Sequence, residues 1–358
     1  MDFGISIFHK ANCRNYCLRL ANTSKRPRRR IMQEVKVLDG GFSTQLATHV
    51  GDIIDGDPLW TARFLVTNPN AVISTHLDFL KAGTDIIQTN TYQTSVDGFS
   101  KYMNLSEEEG LNLFSKAVDY AKEAINLYKE EIKNKRNAIN ANPLIAGSVG
   151  PYGACLHDAS EYTGKYCSTV SEEILMNWHR PRIQKLIESG VDMLAIETIP
   201  CKQEAEALVK LLKEFPNSKA WLSFSCSYDG KSIADGSHFQ DIALWCYKEA
   251  LPGQILAIGV NCIAPQNVTS LLKGINENCK QDFIPLVVYP NSGEKYTVEQ
   301  GWVKKREGYS LQEFIHEWLD LGVRYIGGCC RTNAVDVKKI RRYREIDVGS
   351  KKNKQFSE

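Results

Sequence analysis

From residue 34 onward the chain repeats one unit eight times: a short apolar run ending in small or polar residues, then a longer stretch with helical periodicity. The expected strands fall at 35–40, 85–91, 143–149, 191–197, 219–225, 255–261, 284–289 and 323–328. Runs such as Ile255-Leu256-Ala257-Ile258-Gly259-Val260 are apolar without alternation, the pattern of parallel strands buried on both faces. The intervening helices mark their own starts. Ser106-Glu107-Glu108-Glu109 sets a capping hydroxyl and acidic residues at an N-terminus, and Leu111, Phe114, Val118, Ala121, Ile125 and Ile132 trace the apolar face that follows. Ser171-Glu172-Glu173 opens the segment that reaches Gly190 in the same way. Eight strand-helix units imply a (β/α)8 barrel of the TIM type, a single α/β domain over residues 33–345; a doubly wound open sheet is the alternative.

Charge and cysteine content narrow the function classes. The net charge of +2 is unevenly placed: residues 1–32 carry eight Lys or Arg against Asp2, a sum of +7, which leaves −5 for the rest. The body is therefore no polyanion binder, and no nucleic-acid partner is expected. The head ends in Lys25-Arg26-Pro27-Arg28-Arg29-Arg30 and reads as a disordered basic extension, a composition that also fits a mitochondrial presequence or a nuclear signal. Residues 346–358 read as a polar C-terminal tail. No apolar run approaches the roughly 20 residues that cross a bilayer, so no membrane span is expected. Eleven cysteines without a secretory signal point to a reducing compartment, the cytoplasm. Eight of them (Cys13, Cys17, Cys155, Cys167, Cys201, Cys226, Cys246 and Cys279) show no metal-ligand spacing and read as core residues or inert thiols.

A barrel of this kind builds its chemistry at the C-terminal ends of its strands. Those ends are where the polar residues gather: Asp39-Gly40-Gly41, Gln88-Thr89-Asn90-Thr91-Tyr92, Gly147-Ser148-Val149, Glu197-Thr198, Asn261-Cys262, Tyr289-Pro290-Asn291 and Gly327-Gly328-Cys329-Cys330. Three of these residues are cysteines, on strands six and eight. Adjacent side chains on a regular strand point to opposite faces, so Cys329 and Cys330 meet one ion only where the strand has ended, and the preceding glycine pair is expected to supply the backbone freedom. Three thiolates without a fourth ligand describe zinc with one open tetrahedral position, one ion per chain; a vicinal disulfide or buried thiols are the alternatives. A thiol entering the open position is deprotonated and becomes a nucleophile for carbon, of which methyl transfer is the simplest case. A sulfonium donor leaves as a neutral thioether, which suits the lack of an acid-base histidine at the strand ends. Glu197, a carboxylate closing an apolar strand, calls for a cationic partner such as a ligand ammonium, with Asp39 sharing that role and the following glycines offering N–H groups to a carboxylate.

These segments, with Gly150-Pro151-Tyr152-Gly153, Ser160-Glu161-Tyr162-x-Gly164-x-Tyr166, His179-Arg180-Pro181-Arg182 and Pro290-Asn291-Ser292-Gly293-Glu294, resemble the zinc-dependent homocysteine S-methyltransferases over nearly all of residues 35–342. The resemblance implies zinc on Cys262, Cys329 and Cys330, and an amino-acid site of Asp39, Gly40, Gly41, Thr91 and Glu197, with Asn261 beside the metal. The Ser-Glu-Tyr-x-Gly-x-Tyr and Tyr-Pro-Asn-Ser-Gly-Glu segments look like the branch that uses S-methylmethionine or S-adenosylmethionine. The betaine-using branch carries a long C-terminal dimerisation extension, whereas 28 residues follow Cys330 here, so a monomer is expected. Asn333-Ala334 stands where a Thr-Pro pair is more usual. Aromatic faces should hold the cationic donor, and Phe42 and Tyr92 are placed for it. The expected activity is methyl transfer from a sulfonium to homocysteine, giving methionine, with selenols as further acceptors. Betaine-dependent transfer, or zinc and thiol binding without catalysis, are the alternatives.

Overall fold

The computed structural model describes residues 34–51, 53–133, 142–277, 283–297, 301–303 and 311–355. The basic segment 1–32 lies outside them. Eight parallel strands form one sheet: β1 (Lys36–Val37), β2 (Ile86–Gln88), β3 (Leu144–Val149), β4 (Met193–Ile199), β5 (Ala220–Phe224), β6 (Ile255–Asn261), β7 (Leu286–Tyr289) and β8 (Val323–Ile326). Neighbours along the chain are neighbours in the sheet, and β8 returns to β1 with Lys36 opposite Tyr325 and Val37 opposite Ile326. The Leu38–Ile86 bridge joins β1 to β2 and closes the circle. Each expected strand is found, and the fold is the (β/α)8 barrel.

The sequence dictates this arrangement in two layers. Strand residues that point inward make a narrow core of Leu38, Ile86, Ala195, Trp221, Val287 and Tyr325, while those that point outward meet the helices in a much larger apolar shell. Both faces of β4, β5 and β7 are buried throughout, as their unbroken apolar runs require. At Gly259 of β6 a β-carbon would stand 1.8 Å from the Val287 carbonyl oxygen, so only glycine lets β6 and β7 pair there.

The helices begin where their caps say. Ser106 accepts from the Glu109 N–H while the Glu109 carboxylate accepts from the Ser106 N–H, a reciprocal capping box for helix Glu107–Ile132. Its buried face runs through Phe114, Val118, Ala121 and Ile125 as expected, with Leu111 and Ile132 half-buried at its edges. Helix Glu172–Glu188 is capped by Ser171. The last helix runs Ala334–Gln355, so residues 346–355, expected as a tail, continue it. A short antiparallel hairpin, Lys295–Thr297 with Gly301–Val303, is an addition no periodicity announced. Cys167 and Cys201, read as inert thiols, are joined as a disulfide, which ties the loop after β3 to the end of β4.

Candidate metal and substrate site

The strand ends line a cleft open to solvent, with about 650 Å³ of empty space in and above it. Its walls are Asp39 to Ser43 after β1, Gln88 to Asn90 and Tyr92 after β2, Ser148 of β3, Glu197 and Thr198 of β4, Tyr289 of β7, and the three cysteines, with Trp60 and Tyr162 reaching in from loops.

Cys262, Cys329 and Cys330 have met: their sulfurs all lie within 4.8 Å of one another, and the Cys262–Cys330 pair is 3.5 Å apart. Two thiolates each about 2.3 Å from a tetrahedral zinc sit roughly 3.8 Å apart, so small side-chain shifts suffice for the trio to hold a common ion. All three are free thiols in this structure. The Cys329 and Cys330 thiols hydrogen-bond to Cys262 and hold its pKa well below the usual thiol value, and the same bonds to Cys262, with burial and its charge behind them, drive theirs up. The strand has indeed ended at Ile326, but the glycines act otherwise than expected. Neither adopts a positive φ; the left-handed residues are Cys262 (φ 51°) and Arg331 (φ 64°). Gly327 and Gly328 are needed because their β-carbons would stand 2.6 Å from the Asp39 carbonyl oxygen and 2.2 Å from Thr332 Oγ1. They let the turn pack against β1.

Across the cleft, Asp39 and Glu197 are both buried. Asp39 accepts from the Gln88 N–H at 2.7 Å and the Gln88 side chain at 2.9 Å, yet burial outweighs these bonds and pushes its pKa up to about 7. Glu197 accepts from the Ser148 hydroxyl, and burial, helped by the charges of Asp39 and Cys262, pushes it up to about 8. Two buried acids with raised pKa values thus face one cleft. Glu197 and Thr198 both face the cleft although adjacent, because the β4–β5 register shifts between Ile196 and Ile199 and Thr198 adopts φ 62°. Asn261 holds this kink: its Oδ1 accepts from the Thr198 N–H at 2.8 Å and its Nδ2 donates to Thr198 Oγ1 at 2.7 Å.

Three expected contacts are thereby corrected. Asn261 is wholly buried and does not reach the cleft, since both ends of its amide are spent on Thr198. Thr91 is also wholly buried; its hydroxyl donates to the Ser148 carbonyl at 2.7 Å, so it fastens β2 to β3, and Thr89 and Asn90 line the cleft instead. The Gly41 N–H donates to the Thr332 carbonyl at 3.0 Å and is not offered to a ligand. Gly40 and Gly41 do line the cleft, and Gly41 opens helix Phe42–Val50, whose first turn faces it. Phe42 and Tyr92 line it as expected, with Trp60 set edge-on to Tyr92 at 6.2 Å. Arg182, buried over Trp178, donates to the Tyr92 and Gly150 carbonyls and fixes that aromatic wall. Ser148, Thr198 and Tyr289 also line the cleft, and each stands at a strand end that the apolar runs mark. Trp60 had no signal at all.

Homology decides the family. Residues 36–343 match the model of the homocysteine S-methyltransferase family. The chain belongs to this family. Among homocysteine S-methyltransferases and their kin, it is 50% identical over 310 residues to a protein of Drosophila melanogaster named betaine-homocysteine S-methyltransferase, covering 85% of this chain and 92% of that one. It is 41% identical over 305 residues to homocysteine S-methyltransferase YbgG of Bacillus subtilis, with the same two coverages. Its fold matches the metallated crystal structure of the homocysteine methyltransferase MmuM from Escherichia coli with a TM-score of 0.73 and 35% identity, over 87% of this chain and 96% of that one. The chain is accordingly an enzyme of methyl transfer to the homocysteine thiol. Among the described residues no helix is long and apolar enough to cross a membrane.

Proposed function

We propose that the protein transfers a methyl group from a sulfonium donor, S-methylmethionine or S-adenosylmethionine, to homocysteine held at a zinc site formed by Cys262, Cys329 and Cys330. The observation that carries the reading is the convergence of three free thiols within 4.8 Å, facing two buried carboxylates across one cleft. Zinc, when bound, would supply the Lewis acidity that keeps the homocysteine sulfur ionised near neutral pH. Glu197 and Asp39 hold the ammonium group of homocysteine, and the first turn of helix Phe42–Val50 receives its carboxylate. Thr198, Ser148 and Tyr289 keep Glu197 in place.

Phe42, Tyr92 and Trp60 present aromatic faces to the donor, a contact worth roughly 0.5–2 kcal/mol for a cation. The homocysteine thiolate attacks the methyl carbon in line with the departing sulfur. A carbon–sulfur bond forms as another breaks, the electron pair stays on the donor sulfur, and a neutral thioether leaves without needing a proton. Selenols are softer nucleophiles and suit the same step. We read the protein as a cytoplasmic monomer with small-molecule partners.

Betaine is the second reading, favoured by the name of the Drosophila relative. Methionine formation by the zinc-loaded protein, supplied with homocysteine and either S-methylmethionine, S-adenosylmethionine or betaine in parallel, tests both. Turnover with a sulfonium is expected; turnover with betaine alone would overturn the donor.

A further inference from the structure

The segment that follows β3 is fastened at both of its ends to the chain that follows β4. Tyr152, at its start, donates its N–H to Glu204 Oε1 at 2.7 Å, and the Tyr166 hydroxyl, near its end, donates to Oε2 of the same carboxylate. Oε1 also meets His179 Nε2 at 2.8 Å, so one carboxylate gathers three partners. Glu204 is wholly buried on helix Lys202–Leu212, and the Cys167–Cys201 disulfide adds a second tie just ahead of that helix. Between these ties the chain turns tightly, with the Ser160 carbonyl accepting from the Thr163 and Gly164 N–H groups. Tyr162 sits in that turn.

Tyr162 lines the cleft, and its hydroxyl stands 3.6 Å from the Cys262 sulfur. The backbone of Cys262 is pinned as well: its N–H donates to the Tyr289 carbonyl at 3.0 Å, and its carbonyl accepts from Asn291 Nδ2 at 3.4 Å. Two fixed groups therefore meet. A metal-bound thiolate has no proton left to give, so in this contact the hydroxyl is the donor. We propose that Tyr162 is a positioning residue of the metal centre, whose hydroxyl donates a hydrogen bond to the Cys262 thiolate, orients that ligand and draws charge from it. This rests on the zinc reading above and deepens it. Three cysteine thiolates already overbalance a dication before homocysteine arrives. A donor on one of them relieves that excess and leaves more of the cation's pull for the incoming sulfur.

The Tyr162 ring is 40% exposed, so Tyr162→Phe removes the hydroxyl without disturbing the core. Wild type and Tyr162→Phe are compared in two ways: the zinc dissociation constant, by competition with a chromophoric chelator, and the thiolate-to-metal charge-transfer absorption of the cobalt(II)-substituted protein. Loss of the hydroxyl should weaken zinc binding about tenfold. It should also move the absorption to longer wavelength, because sulfur lone pairs that no hydrogen bond stabilises pass charge to the metal at lower energy. A role confined to holding the loop would weaken zinc binding and leave the absorption in place. An unmoved absorption, or a zinc dissociation constant within about twofold of wild type, would overturn the assignment while the three-thiolate site stands. Wild-type protein with no thiolate-to-cobalt absorption would overturn both.

Discussion

If the two acids across the cleft pair with the ligand ammonium as proposed, homocysteine binding should depend on pH in a calculable way. In the empty protein Glu197 sits at about 8 and Asp39 at about 7, each lifted first by burial. An ammonium group gains little from a protonated carboxyl, so the ligand binds the ionised form and expels the proton. For Glu197 alone the apparent dissociation constant scales as 1 plus ten to the power (8 − pH), about a hundredfold penalty at pH 6 and about twofold at pH 8. Affinity should therefore rise about fiftyfold between those values, roughly 2.3 kcal/mol, and fall again at higher pH as the ligand ammonium itself loses its proton. Loss of the Asp39 proton steepens the lower limb.

Methionine is the ligand to use, because the product has no thiol to titrate. Calorimetric titration of the zinc-loaded protein, repeated in buffers of different ionisation enthalpy, reads both the affinity and the number of protons released. The sign for stability is opposite. Carboxyls whose folded pKa is raised bind protons more tightly in the folded chain, so the ligand-free protein loses stability as pH rises from about 4 through about 8, and the thermal shift given by saturating methionine should grow over the same window. Glu197→Gln should bind weakly with a flattened pH profile. A dissociation constant that stays within about threefold between pH 6 and 8, with no proton released, would refute the pairing of these acids with the ligand ammonium.

Two other substitutions probe the frame of the site. Cys330→Ala should lose most bound zinc and all measurable turnover while its far-ultraviolet circular dichroism stays that of the barrel; full activity would sink the three-thiolate mechanism. Gly259→Ala places a methyl group against the Val287 carbonyl, where its carbon would stand 1.8 Å from the oxygen, and should cost above about 4 kcal/mol in urea denaturation or prevent folding. A midpoint like that of wild type would mean that β6 and β7 part readily at this point.

What the sequence disclosed and what it hid follow from one distinction. Burial on both faces leaves an unbroken apolar run, so all eight strands were legible, and the residues at their ends could be expected at one mouth because parallel strands share a direction. Asp39, Glu197 and the three cysteines do line one cleft there. Periodicity could not say which way a side chain turns once the regular strand stops. Thr91 and Asn261 stand at strand ends like the others, yet each spends its polar atoms on neighbouring backbone, Thr91 on Ser148 and Asn261 on Thr198. The kink that turns both Glu197 and Thr198 into the cleft depends on Asn261, 63 positions away along the chain. Cys167 and Cys201, 34 residues apart with no repeated spacing, gave no hint of their bond. Neither could Gly327 and Gly328 disclose that they are glycines for want of room and not for want of freedom, since the atoms that crowd them belong to Asp39 at the end of β1 and to Thr332, which the turn itself folds back. Periodicity encodes the direction a strand faces. The chemistry begins where periodicity ends, and there each side chain is placed by partners that only the closed barrel brings near.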